Sequence, residues 1–325
     1  MQANKLTTQF KELEKIIATH NDFLLVVHPS PDADALGSSF SLQEYLLNQK
    51  KQVTIYSVDM PSEDLKPLFP FKHITTDLDL LNKEIIIFLD RGDVYYKFNF
   101  AEKISHLPNP PKKIINIDHH PRTEIDIALN IRSTEAAATS EIIYAFFKQI
   151  NFSFDQKVAQ YLLNGIYADT GGFKHNNTSP EVLEIAGELM RHGASITKIN
   201  RALFANKTIS ALKLWGIALD RVQINKKTGM AVSFITKKDL EKCNASIKDL
   251  DGLSEILNTI SEAKFSLMLT EREENKVKAS LRSEEYKKID VSKIARLFKG
   301  GGHKLASGFE IEGKLKQTKD GWIVE

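Results

Sequence analysis

Phe23-Leu24-Leu25-Val26-Val27 runs directly into HPSPDADALGS, from His28 to Ser38, and that junction decides how the first half of the chain is read. Five consecutive apolar residues, two of them β-branched, are what a strand buried on both faces requires. The imidazole of His28 and the carboxylates of Asp32 and Asp34 then fall at the carboxyl end of that strand, where open α/β sheets bind their ligands. The pattern recurs. Ile85-Ile86-Ile87-Phe88-Leu89 ends in Asp90, Ile114-Ile115-Asn116-Ile117 ends in Asp118-His119-His120, and Gly165-Ile166-Tyr167-Ala168 leads into Asp169. A glycine run closes on a histidine at Gly300-Gly301-Gly302-His303.

The chain has 325 residues, enough for two domains with cores of their own. Hydrophobic content of 42% and charged content of 26% are those of a soluble globular protein. A net charge of +2 argues against holding long nucleic acid by charge alone and favours small anionic substrates. The longest apolar runs fall well short of the roughly 20 residues that span a bilayer. The amino terminus leads into an amphipathic helix (Phe10, Leu13, Ile16, Ile17) rather than a signal peptide, so the expectation is a cytoplasmic protein with no membrane partner. The single cysteine, Cys243, excludes an internal disulfide and reads as an inert thiol.

Beyond the first strand, short apolar strands alternate with helices, which indicates an α/β domain built on a doubly wound, mostly parallel sheet over residues 1–188. From Pro180 the pattern turns purely helical, with Thr178 and Glu181 spaced as a capping box, and residues 189–219 are expected to form a helical linker. Residues 220–325 read as a smaller α+β domain, with strands over 221–225, 230–234, 263–269 and 276–282 and a helix over 291–298.

Taken together, these segments resemble the DHH phosphoesterase superfamily: HPSPDADALGS as its first motif, Asp90 its second, Asp118-His119-His120 its third and Asp169 its fourth. The stretch from Ala279 to Ser283 and KGGGHKLASGF, from Lys299 to Phe309, resemble the DHH-associated carboxy-terminal domain. The short two-domain layout is most similar to the nanoRNase and pAp phosphatase branch. That resemblance implies two divalent metal ions, manganese with magnesium as the alternative. His28 and Asp32 would hold one ion, Asp34, His119 and Asp169 the other, and Asp90 would bridge them. Asp118 would orient His119 or its neighbour, and His120 would face the phosphate. Two positions depart from the family pattern: Arg91, directly after Asp90, and Ala33, where glycine is common.

The residue chemistry is consistent with that implication, because clustered carboxylates need cations to neutralise them and histidine among oxygen ligands favours manganese. A metal pair also needs no protein nucleophile. For Asp32 and Asp34 the competing reading is structural: an N-cap and a first-turn acid on the helix that starts near Ala35. In the second domain Arg282 offers a two-pronged phosphate contact, and Ser283, Gly301, Gly302 and His303 complete an anion-binding surface. Ser280 and Ser283 read equally well as ordinary strand polars, and His175 as a solvated loop residue. The expected activity is hydrolysis of short oligonucleotides (nanoRNA such as pApA) to nucleoside 5′-monophosphates, with removal of the 3′-phosphate of pAp. The expected partners are short single-stranded RNA or DNA, small nucleotides and a second copy in a homodimer. The rival readings are a RecJ-like single-strand exonuclease, a cyclic-dinucleotide phosphodiesterase and, from a different class, a non-catalytic nucleotide-binding module.

Overall fold

The computed structural model describes residues 2–77, 83–90, 99–107, 109–120, 127–204, 207–272, 275–302, 304–318 and 321–325. Arg91 and His303, singled out above, lie outside the described residues. The chain divides into two compact units, residues 1–205 and 206–325.

In the first unit six parallel strands form one sheet: β1 (Asp22–Val26), β2 (Gln52–Tyr56), β3 (Ile74–Thr75), β4 (Ile85–Leu89), β5 (Lys113–Asp118) and β6 (Leu129–Arg132). Their order is β3-β2-β1-β4-β5-β6, so the chain winds one way from β1 and the other way from β4. The expected doubly wound α/β architecture is therefore present. Alternate side chains show why the strands read as unbroken apolar runs. Phe23 and Leu25 of β1 and Ile85, Ile87 and Leu89 of β4 enter one core, while Leu24, Val26, Ile86 and Phe88 enter a second core on the opposite face.

Helices cover both faces. On one side lie α1 (Gln2–Thr19), α2 (Ala33–Asn48) and a layer made by α4 (Thr139–Gln149), α5 (Gln156–Asp169), α6 (Pro180–Arg191) and α7 (Ile196–Phe204). On the other side α3 (Phe100–Ser105) inserts Phe100 and Ile104 beside Phe88 and Tyr56. The capping of α6 falls one residue later than expected. Pro180 takes the first helical position, so Ser179 becomes the cap and its side chain accepts the Val182 amide.

The helical linker expected over 189–219 is split between the two units. Ile199 and Ala202 of α7 belong to the first core, whereas Leu214 and Ala218 of α8 (Ile209–Asp220) belong to the second. The second unit carries a mixed sheet ordered β11-β12-β10-β9-β8-β7. Its strands are β7 (Gln223–Asn225), β8 (Met230–Ile235), β9 (Phe265–Arg272), β10 (Lys276–Arg282), β11 (Gly301–Gly302) and β12 (Ala306–Glu312). All neighbours are antiparallel except β8 and β9. Among the described residues no helix is long and apolar enough to cross a membrane.

Two glycines let α2, α4 and α5 close on one another. A Cβ on Gly37 would lie 2.6 Å from the Tyr161 carbonyl oxygen, and one on Gly165 would lie 2.1 Å from Ser140 Oγ. Gly37→Ala is expected to cost about 1–3 kcal/mol, because the obstacle is backbone and the helices must part. Gly187→Ala, whose nearest neighbour would be Arg191 Nη1 at 3.7 Å, is expected to gain up to about 1 kcal/mol. Urea unfolding of both variants checks this, and equal midpoints would show that the α2–α5 contact is not close-packed.

Candidate metal centre

Strands β1 and β4 are neighbours at the switch in winding direction, so the loops leaving their carboxyl ends diverge and open a crevice. His28 stands two residues past β1, Asp90 one residue past β4, and Asp118 is the last residue of β5, with His119 and His120 following. Asp34 sits in the first turn of α2 and Asp169 is the last residue of α5. The six residues expected as metal ligands are thereby drawn together.

Their donor atoms form three overlapping groups, two of which share Asp90. Those of His28, Asp32 and Asp90 lie within 4.8 Å of one another, as do those of Asp34, His119 and Asp169, and those of Asp90, His119 and His120. Asp90 presents a different oxygen to each side: Oδ2 is 3.7 Å from His28 Nε2, and Oδ1 is 3.6 Å from His119 Nε2 and 3.5 Å from His120 Nδ1. Its backbone has φ +55, a left-handed turn at the end of β4.

Asp32 caps α2 as well as facing this group. Its Oδ1 accepts the Asp34 and Ala35 amides at 3.0 Å each, while Oδ2 lies 3.7 Å from His28 Nε2. Capping and ligation are therefore compatible, one oxygen for each. Asp34 is the second residue of α2, so its carboxylate turns to different neighbours from that of Asp32, the cap. Its carboxylate is fully buried and accepts the Thr139 amide at 2.6 Å and the Ser140 amide at 2.9 Å. Thr139 Oγ1 donates to Asp90 Oδ1 at 3.2 Å. Thr139 and Ser140 carry no signal of their own in the sequence. Backbone donors leave no motif, and the one available clue was a helix start with no capping side chain of its own.

The imidazoles are oriented through their second nitrogens. His28 Nδ1 is 2.8 Å from the Pro29 carbonyl, which can only accept, so Nδ1 carries a proton and Nε2 is the nitrogen that faces Asp32 and Asp90. Asp118, fully buried, holds His120: its Oδ1 accepts the His120 amide at 3.0 Å and Nδ1–H at 2.8 Å. Among the described residues His119 Nε2 is buried without a hydrogen-bond partner, although Asp169 Oδ2 stands 3.2 Å away.

Electrostatics point the same way. Burial first, then the charges of Asp34, Asp32, Asp169 and Asp118, push Asp90 well above the ordinary carboxylate range. Asp169 is also pushed well above it, by burial and then by Asp34 and Asp32. Burial raises Asp34 against the opposing pull of His119 and Ser140. At Asp32 desolvation is outweighed by the hydrogen bond and charge of His28 and by the helix amides, which leave it at about 2. So dense a set of carboxylates stays ionised only with a cation among them. Ligands in adjacent corners of an octahedron at metal–oxygen distances near 2.1 Å sit about 3 Å apart. The observed spacings and the orphaned His119 nitrogen fit such an ion.

The expected substrate residues lie in the second unit. Arg282 ends β10, with Nε 3.0 Å from Glu255 Oε1 and Nη1 3.1 Å from the Leu281 carbonyl. Ser283 is buried and turns its hydroxyl to the Lys264 carbonyl at 3.4 Å, away from solvent. Gly301 and Gly302 are exposed on β11. A Cβ on Gly302, at φ +130, would strike the Ala306 carbonyl at 2.6 Å, whereas one on Gly301 would meet none of the described residues within 4 Å. His175 follows the fourth motif as expected, and its Nδ1 is 3.3 Å from the Asp169 carbonyl.

Residues 22–166 match the family described as "DHH family, N-terminal domain", and residues 227–320 match the DHHA1 domain. A Bacillus subtilis protein named "bifunctional oligoribonuclease and PAP phosphatase NrnA" is 29% identical over 304 residues, 92% of each chain. A Thermus thermophilus protein of the same name is 27% identical over 92% of this chain and 87% of its own. Among solved structures, an exopolyphosphatase-related protein from Bacteroides fragilis is 27% identical with a TM-score of 0.87, covering 94% of this chain and 92% of its own.

Adding Mn2+ to chelator-treated protein is expected to raise its thermal midpoint. At a hundredfold excess over Kd the gain in stability is about 2.7 kcal/mol. Asp90→Asn should lose most of that shift, since Asp90 is common to two of the groups, and a wild-type midpoint indifferent to Mn2+ would contradict the metal assignment.

Proposed function

Because the chain belongs to the DHH family and continues into a DHHA1 domain, we propose that it is a two-metal phosphodiesterase acting on short oligonucleotides. Its products would be nucleoside 5′-monophosphates, and it would also remove the 3′-phosphate of pAp. The observation that carries this reading is Asp90, which offers one carboxylate oxygen to each of two ligand groups at the sheet's switch point. The NrnA-named relatives support it, since the matches cover nearly the full length of both chains. A structure of RecJ in complex with Mn2+ from Thermus thermophilus has the same fold at a TM-score of 0.55 and 15% identity, but this chain covers 52% of it.

When bound, two divalent cations would neutralise the carboxylates, lower the pKa of a water and stabilise charge on the phosphate. His28, Asp32 and Asp90 would hold one cation, and Asp34, His119, Asp169 and Asp90 the other. Asp118 accepts the His120 Nδ1 proton, which leaves Nε2 as the ring nitrogen for the substrate. From Nε2 His120 would donate to a phosphate oxygen as negative charge builds there.

Within the second unit, Arg282, Gly301, Gly302 and His303 would bind phosphate. The ion pair of Arg282 with Glu255 is solvent-exposed and worth little, so the guanidinium can exchange it for a phosphate at small cost. A homodimer is part of the same reading, and sedimentation measures it directly.

Product analysis on 5′-phosphorylated RNAs from two to about twenty nucleotides, with pAp and cyclic di-AMP alongside, separates the candidates. Rapid cleavage confined to the shortest species is expected. Comparable cleavage of long strands would instead make the chain a general exonuclease, and no cleavage would leave a binding module. Asp34→Ala should abolish turnover while Arg282→Ala chiefly raises KM; equal losses of kcat at unchanged KM would contradict the division of labour.

A further inference from the structure

The amino terminus of α4 lacks a cap of its own. Ala138 occupies the cap position in extended conformation and offers no side-chain acceptor. The first amides of a helix need partners, and here both oxygens of Asp34 supply them from 105 residues away, Oδ2 to Thr139 and Oδ1 to Ser140. The same residue, Thr139, sends its hydroxyl to Asp90 Oδ1. A single residue with a fully buried side chain thus touches Asp90, the acid common to two of the groups, while its amide holds Asp34, which belongs to the third.

We propose that Thr139 is a positioning residue that sets the orientation of Asp90 relative to Asp34 and thereby couples the filling of the two cation sites. Three geometric facts carry this. The backbone amides fix the plane of the Asp34 carboxylate whatever side chain stands at 139. Gly165 leaves the space that carboxylate needs, since a Cβ there would lie 2.5 Å from Asp34 Oδ1. The hydroxyl is then the single group on α4 that reaches Asp90 among the described hydrogen bonds, and it engages the oxygen that faces His119 and His120. A carboxylate with one oxygen tethered cannot rotate freely between two cations, so its second oxygen stays aimed at His28 and Asp32. The inference rests on the metal reading above and adds a residue to it that no ligand motif contains.

Because the backbone contacts survive any substitution, Thr139→Val removes the hydroxyl alone and keeps the shape, and Thr139→Ser restores the donor. The full chain is stripped with chelator and titrated with Mn2+ by calorimetry, with electron paramagnetic resonance recorded at equal loading. Thr139→Val is expected to keep the metal-free thermal midpoint of the wild type, to lose about 10–100-fold in Mn2+ affinity, and to show isolated ions where the wild type shows an exchange-coupled pair. Thr139→Ser should recover both the affinity and the coupled signal. Wild-type affinity and coupling in Thr139→Val would overturn the role of Thr139 while leaving the metal centre standing. If the wild type takes up no Mn2+, the metal reading fails and this one with it. A Thr139→Ser variant as impaired as valine would also overturn it, since packing rather than the hydroxyl would then be responsible.

Discussion

A carboxylate with no solvent around it is the constraint from which the rest of the first unit follows. Leaving Asp34 buried and unpartnered would cost several kcal/mol, more than most single contacts return. Two charge-assisted bonds from α4, each worth roughly 1.5–3 kcal/mol, offset much of that. They do so only if α4 begins within bonding distance of the first turn of α2. Close approach of these helices to α5 is in turn possible because Gly37 and Gly165 carry no side chains. Packing, helix capping and ligand placement are thus consequences of one another, and the carboxylate is the piece that cannot be moved alone.

The sheet supplies the other half of the geometry. Strands β1, β4 and β5 are buried on both faces, which makes them the most rigid part of the domain and fixes where their carboxyl ends point. Reversal of winding between β1 and β4 separates the loops that would otherwise fill the crevice. The acids and histidines are then held by elements that cannot shift without disturbing two cores. A loop-built cluster would tolerate larger errors in spacing than a two-metal reaction allows.

How far this could be read from sequence differs by element, for identifiable reasons. Strands β1, β4 and β5 were legible because burial on both faces writes five apolar residues in a row, and the ligands follow those runs directly. The short edge strands β3 and β6 were not, since an edge needs few apolar residues: Ile74–Thr75 and Leu129–Arg132 carry too little pattern. Strand β12 was hidden because it starts inside the glycine-rich stretch, where Ala306, Ser307 and Gly308 look like loop. The two roles of Asp32, which sequence posed as alternatives, coexist because a carboxylate has two oxygens. The Thr139–Ser140 amides were invisible because the acceptor they serve lies a hundred residues earlier, and nothing in a local pattern announces so distant a partner.

The glycine run in the second unit holds positions under unlike pressures. Gly300 is crowded by the Gly308 carbonyl, and Gly302 is both crowded and in a left-handed conformation, so folding alone forbids larger residues there. Among the described residues, nothing stands within 4 Å of where a Gly301 Cβ would lie. Against those residues, drift at Gly301 would go unnoticed by protein abundance, and selection for a small residue there would act through what the loop touches outside the chain. Within three adjacent residues the molecule separates inheritance enforced by its own fold from inheritance enforced by its chemistry.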